Sequence, residues 1–209
     1  RRLSDAGPPP TIRPLPALKF LVVFLWLVLR SSITVAVAVV APHKRIHTGI
    51  VAVPLVGCGD VAGNGEADWM KVGGRIRVSS ARAEKVTVVC ELAGDVELPP
   101  AAIAAMAAGA KLRAYDFDLY KTKDRKEATA QKITFATDDA AAARKVWKDL
   151  DAISDGVITA RDLVNEPANV LGPVEFAARA KALEKQGVEV EILDEKAMRR
   201  LKMGALLGV

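Results

Sequence analysis

The stretch Gly57-Cys58-Gly59-Asp60-Val61-Ala62 has the spacing closest to a ligand-binding device. It follows a Val-rich run and fits G-x-G-x-x-G/A, a pattern whose glycines let a pyrophosphate approach the backbone at a helix N-terminus. The residues that follow, Gly63-Asn64-Gly65-Glu66, are a poor helix start. The nearest strand-end acid, Glu91, lies 34 residues from Gly57, whereas the fingerprint places one at about 20. A plain strand-to-loop turn is therefore the preferred reading, with a nucleotide-binding module on Gly57–Ala62 as the alternative. His43 and His47 are the only histidines and stand at i, i+4, a spacing at which two imidazoles can share a zinc on a helix. Lys44 and Arg45 between them repel a cation, Pro42 disfavours a helix just upstream, and no third ligand is near, so a solvated loop is expected. Cys58 and Cys90 each adjoin an apolar run and read as buried thiols. No G-x-S-x-G, H-E-x-x-H or Walker loop occurs. Side-chain chemistry alone yields an α/β domain with no catalytic constellation.

The elements that would position these residues are clearer. Half the chain is hydrophobic (51%) and only 5% aromatic, which excludes a disordered or collagen-like polypeptide. A chain of 209 residues buries a core without staples, so two cysteines are no disulfide framework. The net charge of +5 is uneven: residues 1–50 hold seven Lys and Arg against Asp5 alone, a net +6, leaving the other 159 residues at −1. A phosphate-tracking groove needs clustered cations with stacking aromatics. The body supplies neither, so DNA binding finds no support.

Residues 1–17 form a Pro-rich lead-in without periodicity, expected to be disordered. Phe20–Ala41 follows, with 18 of 22 residues apolar. That is long enough to span a bilayer, but Arg30 at its middle would cost about 2.5–3.5 kcal/mol there. Two buried strands, Phe20–Leu29 and Ile33–Val40, are preferred over a membrane anchor or an export signal. Farther on, Ile50–Val56, Lys85–Glu91, Lys132–Ala136 and Val188–Leu193 read as strands. Pro99-Pro100 opens an Ala-rich helix towards Leu119. Thr137 or Asp138 caps a long helix through Leu150, continuing to Val164. Gly172-Pro173 starts a helix with Phe176, Ala180 and Leu183 on one face, and Gly187 ends it. Asp194 caps a helix through Met203, and Gly204 stops it before a final strand. Such alternation implies a parallel or mixed sheet flanked by helices. Because the sequence opens on Arg1-Arg2 and stops inside the apolar run Ala205–Val209, it is expected to be a piece of a longer polypeptide.

Several segments resemble the leucyl aminopeptidases (cytosol aminopeptidases, peptidase family M17). Gly109–Lys123 (GAKLRAYDFDLYKTK) is similar to their helix-and-loop segment. Ala160–Asn169 (ARDLVNEPAN) resembles their ARDLVNEPPN signature, with Ala168 replacing the second Pro. Gly187–Lys196 with Met203–Val209 is similar to the start of their catalytic domain, and Glu66-Ala67-Asp68-Trp69 with Gly73-Gly74 resembles bacterial members. The likeness runs over residues 66–209, and residues 1–49 carry none of these motifs.

The resemblance implies a macro-domain-like N-terminal α/β domain over residues 18–150 (1–49 atypical), after the lead-in of residues 1–17. A linker helix and junction would occupy residues 151–170, and the truncated start of an α/β catalytic peptidase domain residues 171–209. It implies a metal-dependent hydrolase that releases N-terminal amino acids from peptides, cytoplasmic and homo-hexameric at full length, using two divalent ions (manganese or zinc) to activate a bridging water. The family's ligand motifs, a G-K-G…TFD…GG run and an N-T-D-A-E-G-R run, do not occur in this sequence. Asp162, Glu166 and Asp194 match signature or capping positions, so no catalytic, cofactor or metal role falls on any residue, and the chain alone is expected to bind no metal and to be inactive. Asp194 is expected to cap a helix, and Asn165 and Asn169 to bond backbone at the junction.

Overall fold

In the computed structural model, residues 10–14, 36–40, 55–59, 61–90, 98–123 and 131–208 are described. Among the described residues, five strands form one mixed sheet: β1 (Thr11–Pro14), β2 (Ala36–Val40), β3 (Leu55–Gly57), β4 (Lys85–Val89) and β5 (Lys132–Thr137), in the order β1-β5-β4-β2-β3. β4 and β5 run parallel, Val86 opposite Ile133 and Val88 opposite Phe135, and β1 adds parallel to β5. Thr11–Pro14 is thus a strand and not part of a disordered lead-in as expected, because it finds a ladder on β5 and Ile12 is buried in the core. β2 lies antiparallel to β4, and β3 antiparallel to β2. β-Branched residues dominate β4 and β5, and Val86, Val88, Ile133 and Phe135 are buried, as suits strands that pack on a pleated, covered surface. Within Phe20–Ala41, the expected second strand is present as Ala36–Val40. Phe20–Leu29, His43, His47 and Ile50–Pro54 lie outside the described residues.

Helix α1 (Glu66–Ser79) begins where the sequence promised little. Gly65 is its N-cap residue and donates its backbone N–H to Asp68 Oδ2 at 3.3 Å, so the third helical residue closes the first turn. At the other end, Ser80 Oγ donates to Ile76 O at 2.6 Å. The amide of buried Gln131 donates to Ser80 O and to Ala83 O (2.9 Å), while its oxygen accepts from Arg77 at 2.7 Å. The turn between α1 and β4 is thereby tied to the start of β5.

Helix α2 (Pro100–Arg113) is buried continuously from Ala102 to Ala110. A helix apolar all round belongs in an interior, and the alanines make it narrow enough to fit there. It stops at Arg113, short of Leu119, because the apolar run has ended and Ala114 N–H turns back onto Ala110 O and Lys111 O. α1 and α2 cross at two glycines. A Cβ on Gly73 would lie 1.9 Å from Met106 O, and one on Gly109 would lie 1.9 Å from Met70 O. Only hydrogen fits at either position.

Helix α3 (Ala140–Asn165) runs unbroken for 26 residues. Asp139 caps it, accepting Ala142 N–H at 3.0 Å. Thr137 is unavailable as a cap because it is the last residue of β5. Ala140 and Ala143 are buried, with Trp147 and Leu150 packed against the same core as the sheet, α1 and α2.

The chain divides into two compact units, Arg1–Thr159 and Ala160–Val209. The second contains α4 (Pro173–Lys181), a 3-10 segment Ala182–Gln186 ending at Gly187 (φ +87°), α5 (Glu195–Arg200) and α6 (Gly204–Leu207). Asp194 caps α5 as expected, accepting Ala197 N–H at 2.7 Å. Val188–Leu193 is not a strand. It has no partner strand among the described residues, and Val188 and Ile192 are about half exposed. α5 ends three residues before Met203 because Lys202 takes a left-handed conformation (φ 58°), and Gly204 opens a helical turn instead of stopping one. None of the residues of α4 to α6 is buried, and Phe176 of the expected apolar face is exposed.

Candidate functional site

Asp60 and Glu91 lie outside the described residues, and the described residues of the glycine loop form no anion cradle. Gly57 ends β3, Gly59 has φ +72°, and Asn64 Nδ2 donates to Cys58 O at 2.6 Å, closing the loop on itself. α1 starts only at Glu66, and its first turn holds Glu66 and Asp68. The carboxylate of Asp68 occupies the place an anion would take at that helix N-terminus, and both acids would repel a pyrophosphate. The nucleotide alternative is not favoured.

Cys58 and Cys90 are free, buried thiols. Burial pushes the Cys58 thiol up to about 11, against a smaller opposing pull from Arg75. Burial pushes Cys90 higher still, with the Cys58 charge adding to it. Neither is a thiolate at neutral pH, so neither is a ready nucleophile or metal ligand.

The signature segment Ala160–Asn169 ends α3 and turns the chain towards α4. Glu166 is buried, its side chain 1% exposed, and pairs with Arg179 of α4 at 3.3 Å. Asp162 is also buried. Asn165 Nδ2 donates to Arg161 O at 2.9 Å, and Asn169 sits in the turn closed by Val170 N–H and Leu171 N–H on Pro167 O. This is a structural corner in which Glu166 faces a protein cation and Asn165 a backbone carbonyl.

A half-buried charge cluster in the first unit escaped sequence reasoning. Lys111 of α2, its side chain 10% exposed, reaches Asp151 (2.5 Å) and Asp155 (2.7 Å), one turn apart on α3, and lies 5.9 Å over the Trp147 ring. Burial works to lower its pKa, but the hydrogen bonds and charges of the two aspartates outweigh it and hold the ammonium above its ordinary range. The available signal was a lone lysine at the end of an alanine helix and a pair of aspartates at i, i+4. A depression of about 350 Å³ is lined by Glu66, Trp69, Ala101, Val146 and Asp149, none of which belongs to the Lys111 cluster. Among the described residues, no three His, Cys, Asp or Glu side chains come together as a metal site.

An α/β unit on a mixed five-stranded sheet, built around a buried alanine helix, is thus joined through a 26-residue helix to a second helical unit. Similar chains among solved structures are a mutant of tomato leucine aminopeptidase (TM-score 0.60, 24% identity, 70% of this chain and 30% of that one) and the bottromycin maturation enzyme BotP (TM-score 0.61, 23% identity, 92% and 40%). These likenesses concern the fold. Residues 39–124 match the model for the cytosol aminopeptidase family N-terminal domain, and residues 158–209 the model for that family's catalytic domain. A probable cytosol aminopeptidase of Sinorhizobium medicae (strain WSM419) is 50% identical over 176 residues, covering 82% of this chain and 35% of the relative. One from Rhizobium rhizogenes (strain K84 / ATCC BAA-868) is 53% identical over 177 residues, with the same coverage. The chain belongs to the cytosol aminopeptidase family, and it spans about a third of the length of these relatives. The N-terminal-domain match begins at residue 39, upstream of the first motif recognised in the sequence. Residues 1–62 also match the model for a Na+/H+ ion antiporter subunit.

Proposed function

We propose that the chain is part of a metal-dependent leucyl aminopeptidase, which releases N-terminal amino acids from peptides. The supporting observation is the order of the two family matches: N-terminal domain, then catalytic domain, in one chain about 50% identical to relatives named as cytosol aminopeptidases. On this reading residues 18–150 are a macro-domain-like N-terminal domain, residues 151–170 the linker helix and junction, and residues 171–209 the start of the catalytic domain. The full-length enzyme is cytoplasmic and a homo-hexamer.

Two divalent ions, manganese or zinc, supply Lewis-acid activation of water in such an enzyme, and BotP has a structure in complex with manganese. The residues present do not fit such a centre. Lys111 engages the Asp151–Asp155 pair and Arg179 engages Glu166, and no third ligand joins either group among the described residues. The part played by this chain is to position: Glu166–Arg179 fixes the corner between α3 and α4, and Lys111 fixes α2 to α3.

The test joins the whole chain, residues 1–209, to the remaining catalytic region of the Sinorhizobium medicae relative and follows leucine p-nitroanilide turnover with added Mn²⁺ or Zn²⁺. Metal-dependent turnover by the chimera and none by the 209-residue chain is the expected result. A folded chimera without turnover, or metal-dependent turnover by the chain alone, would overturn the proposal.

A further inference from the structure

β1 comes from the stretch matched to an antiporter subunit and lies outside both aminopeptidase matches, yet it completes the sheet. Thr11, Ile12, Arg13 and Pro14 stand opposite Thr134, Phe135, Ala136 and Thr137. The fit goes beyond backbone pairing. Ile12 is 5% exposed and enters the main core, whereas its neighbour Arg13 is exposed. The hydroxyls of Thr11 and Thr134 are 3.1 Å apart in a hydrogen bond. Arg144 of α3 donates from Nε to Ile12 O at 3.1 Å. The edge of β5 thus offers a ladder, one apolar pocket, one hydroxyl partner and one guanidinium that grips the incoming backbone. Strand addition takes its affinity from such a ladder and its specificity from pockets for alternate side chains.

We propose that the outer edge of β5, together with Arg144, is a strand-acceptor site for an extended peptide of Thr-Ile-Arg-Pro type, and that Thr11–Pro14 is its intramolecular occupant. The inference is independent of the aminopeptidase reading. The ligand is an extended segment with a β-branched hydroxyl residue, then a branched aliphatic one. An acid at the second position is excluded, since its charge would enter an apolar pocket unpaired.

The test uses the full chain carrying Ile12→Asp, which ejects the occupant, and a fluorescein-labelled peptide of sequence PPTIRPL read by fluorescence polarisation. Saturable binding roughly tenfold or more tighter than to the unmodified chain is expected, because a tethered occupant competes at an effective concentration of about a millimolar. The same peptide with Asp for Ile should not bind, and Arg144→Ala in the Ile12→Asp background should weaken binding. Equal affinity for both chains, equal affinity for both peptides, or no binding to an Ile12→Asp chain with native circular dichroism overturns the proposal. Should that variant not fold, Thr11→Cys/Thr134→Cys in the otherwise unmodified chain decides. An intramolecular disulfide in redox buffer, read by mass after alkylation, supports docking at this edge, and its absence overturns it.

Discussion

The glycine crossing of α1 and α2 permits a quantitative test. In Gly73→Ala the new Cβ would lie 1.9 Å from Met106 O, a backbone atom that cannot rotate away. Reaching even a 3.0 Å contact requires the two helices to part by about 1 Å. A gap of that size forfeits roughly a quarter to a half of the dispersion energy of each affected contact, among them those made by Val72, Ile76, Ile103 and Met106. Overpacking a core typically costs about 1–3 kcal/mol, and this collision of main chains belongs at the upper end. Alanine recovers about 1 kcal/mol through helix propensity. The net expectation is a loss of about 2 kcal/mol, or about 4–8 °C in melting temperature for a unit near 150 residues. Gly109→Ala meets Met70 O at the same 1.9 Å and should behave alike. The double variant should cost less than the sum, because one separation relieves both clashes. Gly74→Ala is the control, since its Cβ would meet Arg113 Cβ at an ordinary 3.8 Å. It should be neutral or stabilising. Urea unfolding followed by tryptophan fluorescence measures all four. Gly73→Ala as stable as Gly74→Ala would refute the close-approach argument.

Three further outcomes are expected. Lys111 has its pKa raised in the folded state, so the stability it lends is fully present below its ordinary 10.5 and disappears as pH climbs through the raised value. Lys111→Met should lack that alkaline loss when urea midpoints are followed upward through 10.5, and parallel pH profiles would contradict the clamp. Cys58 and Cys90, both buried and with raised pKa values, should resist dithionitrobenzoate at pH 8 and react as two equivalents in denaturant. Rapid reaction of the native chain would show the thiols to be accessible. Finally, protein retaining Phe20–Ala41 should be soluble and monodisperse without detergent, because Ala36–Val40 pairs with β3 and β4. Recovery only from detergent-extracted membranes would sink that reading in favour of the antiporter-like one.

The alternating framework was legible wherever pattern and chemistry agreed. KVTVV and KITFAT are β-branched runs, Pro100 starts a helix whose missing N–H costs nothing, and Asp194 is a textual N-cap that also caps in space. The misses have specific causes. Gly65-Glu66 hid a helix start because the capping group, Asp68, lies three residues ahead. Val188–Leu193 alternates like a strand, but a strand also needs a neighbour, and none is among the described residues. Gly204 was ambiguous because glycine both ends and begins helices. The candidate sites divided similarly. The glycine loop matched a consensus string while Asn64 and Asp68 filled its space, and Lys111 with Asp151 and Asp155 matched no string because its parts lie 40 residues apart. Gly73 and Gly109 were noticed as family motifs, but their work as a backbone crossing is visible only in three dimensions.

The position of β1 in the sheet also sets a schedule for synthesis. Thr11 pairs with Thr134, 123 residues later in the chain. At about 5–20 residues per second, β1 is made roughly 6–25 s before its partner strand exists. During that interval Thr11–Pro14 is an extended segment without a ladder, and Ile12 has no pocket. β4 and β5, whose paired residues are only 47 apart, can close first, because closing a loop of 123 residues costs about 1 kcal/mol more than closing one of 47. The first strand made is therefore the last to dock, and the nascent chain carries its unpaired segment through nearly the whole translation of the first unit.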